Sequence, residues 1–366
     1  MRTDLFDFHL PPELIAQHPV RPRDAARLLV VRAAGLEDRQ VVDLPELLRP
    51  GDLLVLNDTR VMPVRLYGRR GEAAVEITLT APVAHPPEGR VGARARKEES
   101  ESEGAVLWQA FARPARKCRL GDRLDFGPDL VADVIGRGEG GEVTLQFDPG
   151  AQGLAEGLER HGAMPLPPYI RRPRGGDPRD REDYQTLFAR RAGAVAAPTA
   201  ALHFTPRLMA ALAAHGIDHA FLTLHVGAGT FLPVKVADLR DHEMHAERYE
   251  LSAGTAARIN RTRAAGGRVV AVGTTVLRTL ETIADVSGMV APATGATRLF
   301  ITPGYRFKAV DLLMTNFHLP RSTLFMLVAA FAGLERVQQA YTHAIEQRYR
   351  FYSYGDACLL ERAEPA

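Results

Sequence analysis

The sequence predicts an α/β protein with a barrel-like α/β main domain and, inserted in it, a small all-β barrel domain. From about residue 154 onward, strand-like and helix-like segments alternate, which builds a mostly parallel sheet or barrel covered by helices. Residues 61–149 hold only short runs rich in β-branched and aromatic residues, punctuated by Gly and Pro, which suits a small barrel or sandwich. The length of 366 residues accommodates both. The expected division is therefore 1–60 plus 154–366 for the main domain and 61–153 for the insertion.

Each element follows in order. "GDLLVLNDTR" contains an apolar strand at Leu53 to Leu56, then turn chemistry at Asn57-Asp58-Thr59. The inserted strands are "VRLYG", "AVEITLT", "VLWQAFA", "RLDF", "LVADVIG" and "EVTLQFD". Between the second and third, residues 84–104 are charged, rich in Pro and Gly, and without apolar period, which predicts a flexible insertion. "TPRLMAALAAHG" is a helix with Thr205 as its cap and Pro206 in its first turn, stopped by Gly216. The strand "HAFLTLHV", a helix capped by Ser252, the buried strand "RVVAVG" and the helix "TTVLRTLETIAD" come next. "RLFIT" and "LLMTNF" read as strands, and residues 322–349 as a long helix or helix pair.

Composition narrows the function classes. Apolar residues make up 46% and charged residues 25%, as in a soluble globular chain, and no apolar run is long enough to span a membrane. The N-terminus carries acids and prolines where a signal peptide needs an apolar stretch, so a cytoplasmic location is expected. Cys118 and Cys358 alone cannot supply a cysteine-rich metal or iron–sulfur framework. Net charge is +2, so no bulk field demands nucleic acid. Only four of the 46 basic residues are lysine, which raises phosphate and carboxylate recognition by guanidinium groups as a local question.

The loops after the strands carry the chemistry, because in α/β folds they converge on the ligand. Thr274 and Thr275 open a helix directly after a buried strand, and Arg278 lies one turn in, a set suited to an anion. His225 leaves its strand beside Gly227, Gly229 and Thr230. Asn316, His318, Arg321 and Ser322 fill another strand exit, where Ser322 alone also fits a helix cap. Thr199 and His203 precede a capped helix. "PPYIRRPRGGDPRDREDYQT" supplies Tyr169, Arg171, Arg172 and Arg174, then Asp183, Tyr184 and Gln185; its basic run beside an aromatic suits a phosphate backbone as well as it suits a solvated loop. "HEMHAE" places His242 and His245 three apart with Glu243 next to the first, the wrong register for a zincin helix. Histidines, carboxylates and hydroxyls suit acid–base work without metal. A metal-dependent hydrolase and a non-catalytic RNA binder are the rival readings.

Taken together, "FDFHLPPELIAQHP", "GDLLVLNDTRVMPVRL", "HGAMPLPPYI", "DYQTLFA", "APTAALHFT", "LHVGAGTF", "HEMHAERYEL", "VGTTVLRTLE", "TNFHLPRSTLFMLVAAFAG" and "RFYSYGDACLL" resemble the S-adenosylmethionine:tRNA ribosyltransferase-isomerase family of queuosine biosynthesis. The resemblance runs collinearly from Phe6 to about Leu360. Ala201 stands where the family pattern has glycine, and Val276-Leu277 replaces Ser-Val before Arg278. The resemblance implies a main α/β domain with an inserted β-barrel. It implies transfer and isomerisation of the ribosyl part of S-adenosylmethionine onto 7-aminomethyl-7-deazaguanine, at the wobble position of tRNAs with GUN anticodons. No permanently bound cofactor, no metal and a monomeric chain are expected. His203, His225, His242, His245 and His318 are then expected to include the acid and the base. Thr274, Thr275 and Arg278 are expected to hold the methionine carboxylate, and Asp58, Asp183, Glu247 or Asp356 the sulfonium or ribose. Thr59, Arg60, Tyr169, Tyr184, Gln185, Thr199, Gly227, Gly229, Thr230, Asn316 and Ser322 complete the expected substrate contacts. Arg171 to Arg174 and the inserted domain are expected to hold the anticodon arm.

Overall fold

A computed structural model describes residues 1–83, 105–148, 150–173, 175–227, 239 and 242–364. The flexible insertion expected at 84–104 lies outside the described residues, as do Arg174, Gly229 and Thr230. The chain divides into two compact units, Met1–Arg60 with Pro168–Arg171 and Asp183–Ala366, and Val61–Pro167 with Arg172–Glu182.

The first unit is built on a nine-stranded sheet. Its strands are β1 (Arg27–Arg32), β2 (Gly35–Gln40), β3 (Leu53–Asn57), β4 (Asp218–Leu224), β5 (Glu247–Leu251), β6 (Val269–Val272), β7 (Ala293–Thr297), β8 (Leu312–Asn316) and β9 (Ala357–Glu361). They lie in the order β7-β5-β4-β3-β6-β8-β9-β1-β2. The neighbours β4, β3, β6 and β8 run parallel to one another. Antiparallel strands flank them: β5 on β4, and β9 on β8.

Side chains alternate across a strand, and both faces of this sheet are covered. Leu53, Val55, Val269, Ala271 and Leu313 enter one apolar core; Leu54, Leu56, Val270, Val272 and Met314 enter the other. That explains why "LLVL" and "VVAV" are continuous apolar runs. Helix α1 (Pro206–Ala214) covers the second face with Leu208 and Leu212, and Thr205 caps it by accepting from Leu208 N at 3.2 Å. Helices α2 (Ala253–Ala264), α3 (Thr274–Ile283), α4 (Thr323–Ala332) and α5 (Leu334–Glu346) cover the first face. The break between α4 and α5 falls at Gly333, whose φ of +90° suits glycine. α4 is apolar all round, and Phe325, Met326, Leu327, Val328 and Phe331 are all buried. Each such side chain contributes about 1.5–3 kcal/mol of burial.

One strand differs from expectation. The strand lies at Ala293–Thr297, pairing with β5, rather than at "RLFIT" (298–302). The small residues "ATGAT" complete an edge, while Ile301 is buried by packing without a ladder and Leu299 O accepts from the Arg278 side chain at 3.0 Å.

The second unit contains a closed six-stranded antiparallel barrel. Arg65–Arg70 pairs with Ala73–Val83, which pairs with Val106–Arg113, then Glu142–Phe147, Leu130–Arg137 and Arg123–Gly127. Arg69 opposite Asp125 closes the ring. Gly68 permits that closure, since a Cβ there would sit 2.4 Å from Asp125 O and the Phe126 ring. The unit continues past residue 153, to Pro167. The helix Gly150–His161 buries Leu154 and Leu158, a Cβ on Gly157 would meet Leu130 at 3.0 Å, and Gly162–Ala163 adds a bridge to Leu66 and Arg65. An amphipathic helix advertises an apolar face in sequence, but not which core receives it.

Candidate active site

The carboxyl ends of β4, β3, β6 and β8 open at the same edge of the sheet, because the four run parallel and adjacent. They deliver His225, Asn57 to Thr59, Gly273 to Thr275, and Thr315 to His318. Gly273 turns the chain from β6 into α3 with φ +95°, and its N–H reaches Met314 O at 2.8 Å. Gly273 supplies no side-chain cap to α3. The uncapped first turn leaves N–H groups and the positive end of the helix dipole for an anion.

Two cavities meet at this helix start, and Thr274, Thr275 and Leu324 line both. The first is aromatic, and among the described residues that line it none is charged. Tyr169, Tyr184, Phe317, His318 and Tyr352 wall it, with Thr199, Asn316 and Ser353 among its polar groups. Tyr169 and Tyr352 pack at a 51° tilt with centroids 4.6 Å apart, and Tyr169 Oη bonds Ser353 Oγ at 2.7 Å. Burial pushes the Tyr169 hydroxyl up to about 12. His318 Nε2 pairs with Thr315 Oγ1 at 2.9 Å, and its backbone N–H donates to Tyr341 Oη at 2.8 Å. Burial drops the His318 imidazole to about 3, so it is neutral at pH 7. His203 lies behind Asn316, whose amide it faces at 3.3 Å; Thr199 Oγ1 donates to Asn316 Oδ1 at 2.8 Å. Burial, with the Arg23 guanidinium adding to it, lowers His203 to about 4.

The second cavity is charged. Gly227, His242, Met244, His245, Glu247 and Arg278 line it with the shared threonines. Glu247 and Arg278 form an ion pair, each side chain about 6% exposed. Glu247 Oε1 also accepts from Gly227 N at 3.1 Å. Arg278 Nε donates to Leu299 O, and its Nη2 is buried without a partner among the described residues. His242 and His245 are in no helix; the first is half-buried, edge-on to Phe300 at 5.2 Å, and the second is exposed. Partial burial and then His245 lower His242. "HEMHAE" is thus an irregular segment entering β5. Among the described residues, no group of three or more His, Cys, Asp or Glu could hold a metal ion.

Other expected site residues have different neighbours. His225 Nδ1 pairs with Thr59 Oγ1 at 2.9 Å, and burial followed by Arg248 lowers its imidazole. Asp58 accepts from Thr223 Oγ1 at 2.7 Å and lines a separate groove with Arg190, Arg191, Arg258 and Arg261. Arg60 is exposed and Gln185 half-buried, outside the two cavities. Asp183 is held by Arg21 at 2.7 Å and Arg23 at 3.3 Å. Asp356 accepts the backbone N–H groups of Arg27 and Arg350, and burial raises its carboxyl. Both acids anchor chain segments and line neither cavity. Ser322 is occupied as the α4 cap, accepting from Phe325 N at 3.1 Å and donating to Leu319 O. Arg171 is exposed, with its N–H on Gln17 Oε1, whereas Arg172 is buried in a two-pronged pair with Asp180 at 2.8 Å. Asn57 was missed as a site residue. Fully buried, it ties Leu224 N and O, Thr59 N and Thr275 Oγ1 together, bridging three strand exits. Its signal was an asparagine ending an apolar strand where turn chemistry alone seemed sufficient.

Comparison with known proteins agrees with this architecture. The family model described as queuosine biosynthesis protein matches residues 3–360. The chain is 58% identical over 364 residues to an S-adenosylmethionine:tRNA ribosyltransferase-isomerase of Rhodospirillum rubrum, covering 100% of this chain and 99% of the relative. A relative of the same name from Methylobacterium sp. (strain 4-46) is 58% identical over 375 residues, with 100% and 99% covered. The crystal structure of an S-adenosylmethionine tRNA ribosyltransferase from Thermotoga maritima is similar with a TM-score of 0.52, at 39% identity over 97% of this chain and 99% of that one. The two departures from the family pattern, Ala201 and Val276-Leu277, are buried in the two cores and line neither cavity.

Proposed function

The chain belongs to the queuosine biosynthesis protein family, and on that premise we propose that it is an S-adenosylmethionine:tRNA ribosyltransferase-isomerase. It transfers and rearranges the ribosyl part of S-adenosylmethionine onto 7-aminomethyl-7-deazaguanine in the wobble position of GUN-anticodon tRNAs. Epoxyqueuosine tRNA forms, and adenine and methionine leave. S-adenosylmethionine is a co-substrate, and the working chain is a monomer. The observation that carries the reading is the pair of cavities sharing the α3 N-terminus, one uncharged and aromatic, one charged.

The reaction has three proton demands. The sulfonium acidifies the ribose carbon beside it, so a base can begin the reaction. Departing adenine needs a proton, and the acceptor amine must be neutral to attack. His203, His225, His242, His245 and His318 include the groups that meet these demands. Their environments divide them. His318 and His203 are held neutral by burial, which suits hydrogen bonding and makes them weak bases. His225 and His242 are only partly buried and suit full proton transfer better. Thr274, Thr275 and the Arg278 guanidinium, with its unpaired Nη2, receive the methionine carboxylate. Glu247 faces the sulfonium side. Arg171 and the barrel unit contact the anticodon arm.

The direct test incubates the purified protein, with chelator, with S-adenosylmethionine and tRNA carrying the aminomethyl-deazaguanine. Mass spectrometry should find adenine, methionine and epoxyqueuosine together; methylated tRNA alone would overturn the reading. Single His→Gln variants at the five positions should include at least two with turnover lowered about 10²-fold or more. Near-wild-type turnover in all five would remove histidine from the acid–base role.

A further inference from the structure

We infer that the aromatic cavity is a base pocket: it takes a flat, uncharged, purine-type ring against Tyr169, Tyr184 and Tyr352, and the Tyr184 hydroxyl bonds the ring's edge. The inference rests on the proposed reaction and assigns one of the two cavities a ligand class.

Three observations carry it. Tyr184 is fully buried and lines the cavity, yet among the described residues its hydroxyl has no partner in hydrogen-bond geometry. The Ala197 backbone and Ser353 lie beside it, and Ser353 Oγ bonds Tyr169 Oη. Buried hydroxyls are nearly always satisfied, so this one is left for something that enters. Second, aromatic rings and small residues line the cavity together: Tyr169, Tyr184, Phe317 and Tyr352 with Ala196, Ala197, Ala200 and Gly273. A pocket lined by rings and small side chains suits a flat heterocycle, which stacks on an aromatic face whatever its substituents. Third, among the described residues lining this cavity there is no Asp, Glu, Lys or Arg. The donor's carboxylate and sulfonium would find no counter-charge here, while Arg278 and Glu247 supply both signs in the neighbouring cavity. Thr274 and Thr275, shared by the two, mark where the ring and the charged part of one substrate would join.

Two rings in the reaction share this chemistry, the adenine of the donor and the deazaguanine of the acceptor. The experiment separates them. Free adenine and free 7-aminomethyl-7-deazaguanine are titrated, by equilibrium dialysis, into full-length wild type and Tyr184→Phe. Steady-state KM values for S-adenosylmethionine and for tRNA are measured on the same proteins. Since the hydroxyl has no partner in hydrogen-bond geometry among the described residues, Tyr184→Phe should leave the thermal midpoint unchanged. It should weaken binding of one free base, and raise the KM of one substrate, by roughly five- to tenfold. A rise for S-adenosylmethionine assigns the pocket to adenine; a rise for tRNA assigns it to the acceptor base. Tyr352→Leu, which removes a ring wall, should weaken the same base. If wild type binds neither base, or Tyr184→Phe changes neither binding nor KM, the inference is overturned. It is equally overturned if S-methylmethionine, a sulfonium with no base, is the ligand whose affinity falls. Free-base binding needs no turnover, so a failed reaction would count against the proposed function and leave this test standing.

Discussion

The two cavities beside the α3 N-terminus share three residues and differ in nearly everything else. One is walled by tyrosines and holds a histidine that burial keeps neutral; the other holds a buried ion pair and histidines near solvent. The same residue type, histidine, serves both. What separates His318 from His245 is burial: His318 is enclosed, where desolvation penalises its charged imidazole, and His245 is exposed. Equal-looking histidines in a sequence therefore stand in unequal surroundings.

The largest expected effect lies in the charged cavity. Glu247→Ala strands the Arg278 guanidinium in a dry site, and should cost about 3–5 kcal/mol in urea unfolding. Adding Arg278→Met should recover most of that loss. A single-variant cost below about 1 kcal/mol would show that water reaches the pair.

The aromatic side should reveal itself through pH. The folded-state pKa values of His203 and His318 lie near 4 and 3, below the ordinary value of about 6.5. Above pH 6.5 neither form binds the proton and no stability depends on these groups. As pH falls below 6.5 the unfolded chain gains protons that the fold refuses. Stability should then fall by about 1.4 kcal/mol per pH unit for each histidine, until the folded pKa is reached. His318→Gln should remove one such increment from the slope between pH 6 and 5. Identical slopes for wild type and variant would mean His318 is not dry.

A smaller effect sharpens the junction of the cavities. Asn57→Ala leaves Leu224 and Thr59 backbone groups unsatisfied, and should cost about 1–3 kcal/mol by urea unfolding. The smallest belongs to exposed His245: Gln there should change stability by less than about 0.5 kcal/mol, whatever it does to turnover. A larger change would show that His245 has a partner that the fold depends on.

Much of this was legible in the chain. The six inserted strands announced themselves by length and β-branched content, and all six form the barrel. Thr205 and Ser252 cap the helices they were expected to cap. The strand exits carrying His225, Thr274 and Asn316 do meet at one edge. Less legible were partners distant in sequence. Asp183 and Asp356 look like free carboxylates until Arg21, Arg23 and the Arg27 and Arg350 backbones reach them. Ser322 was ambiguous because cap and ligand contact ask for the same hydroxyl.

Local periodicity, caps and turn chemistry by themselves determined the kinds of element, because those depend on neighbours a few residues apart, and collinear motifs along nearly the whole chain carried the resemblance to the family. Only the tertiary structure decided the sheet order, the core that the helix at 150–161 serves, and which histidines are dry. Those depend on contacts between segments far apart in the chain, and burial, which sets a side chain's charge, exists only once those contacts are made.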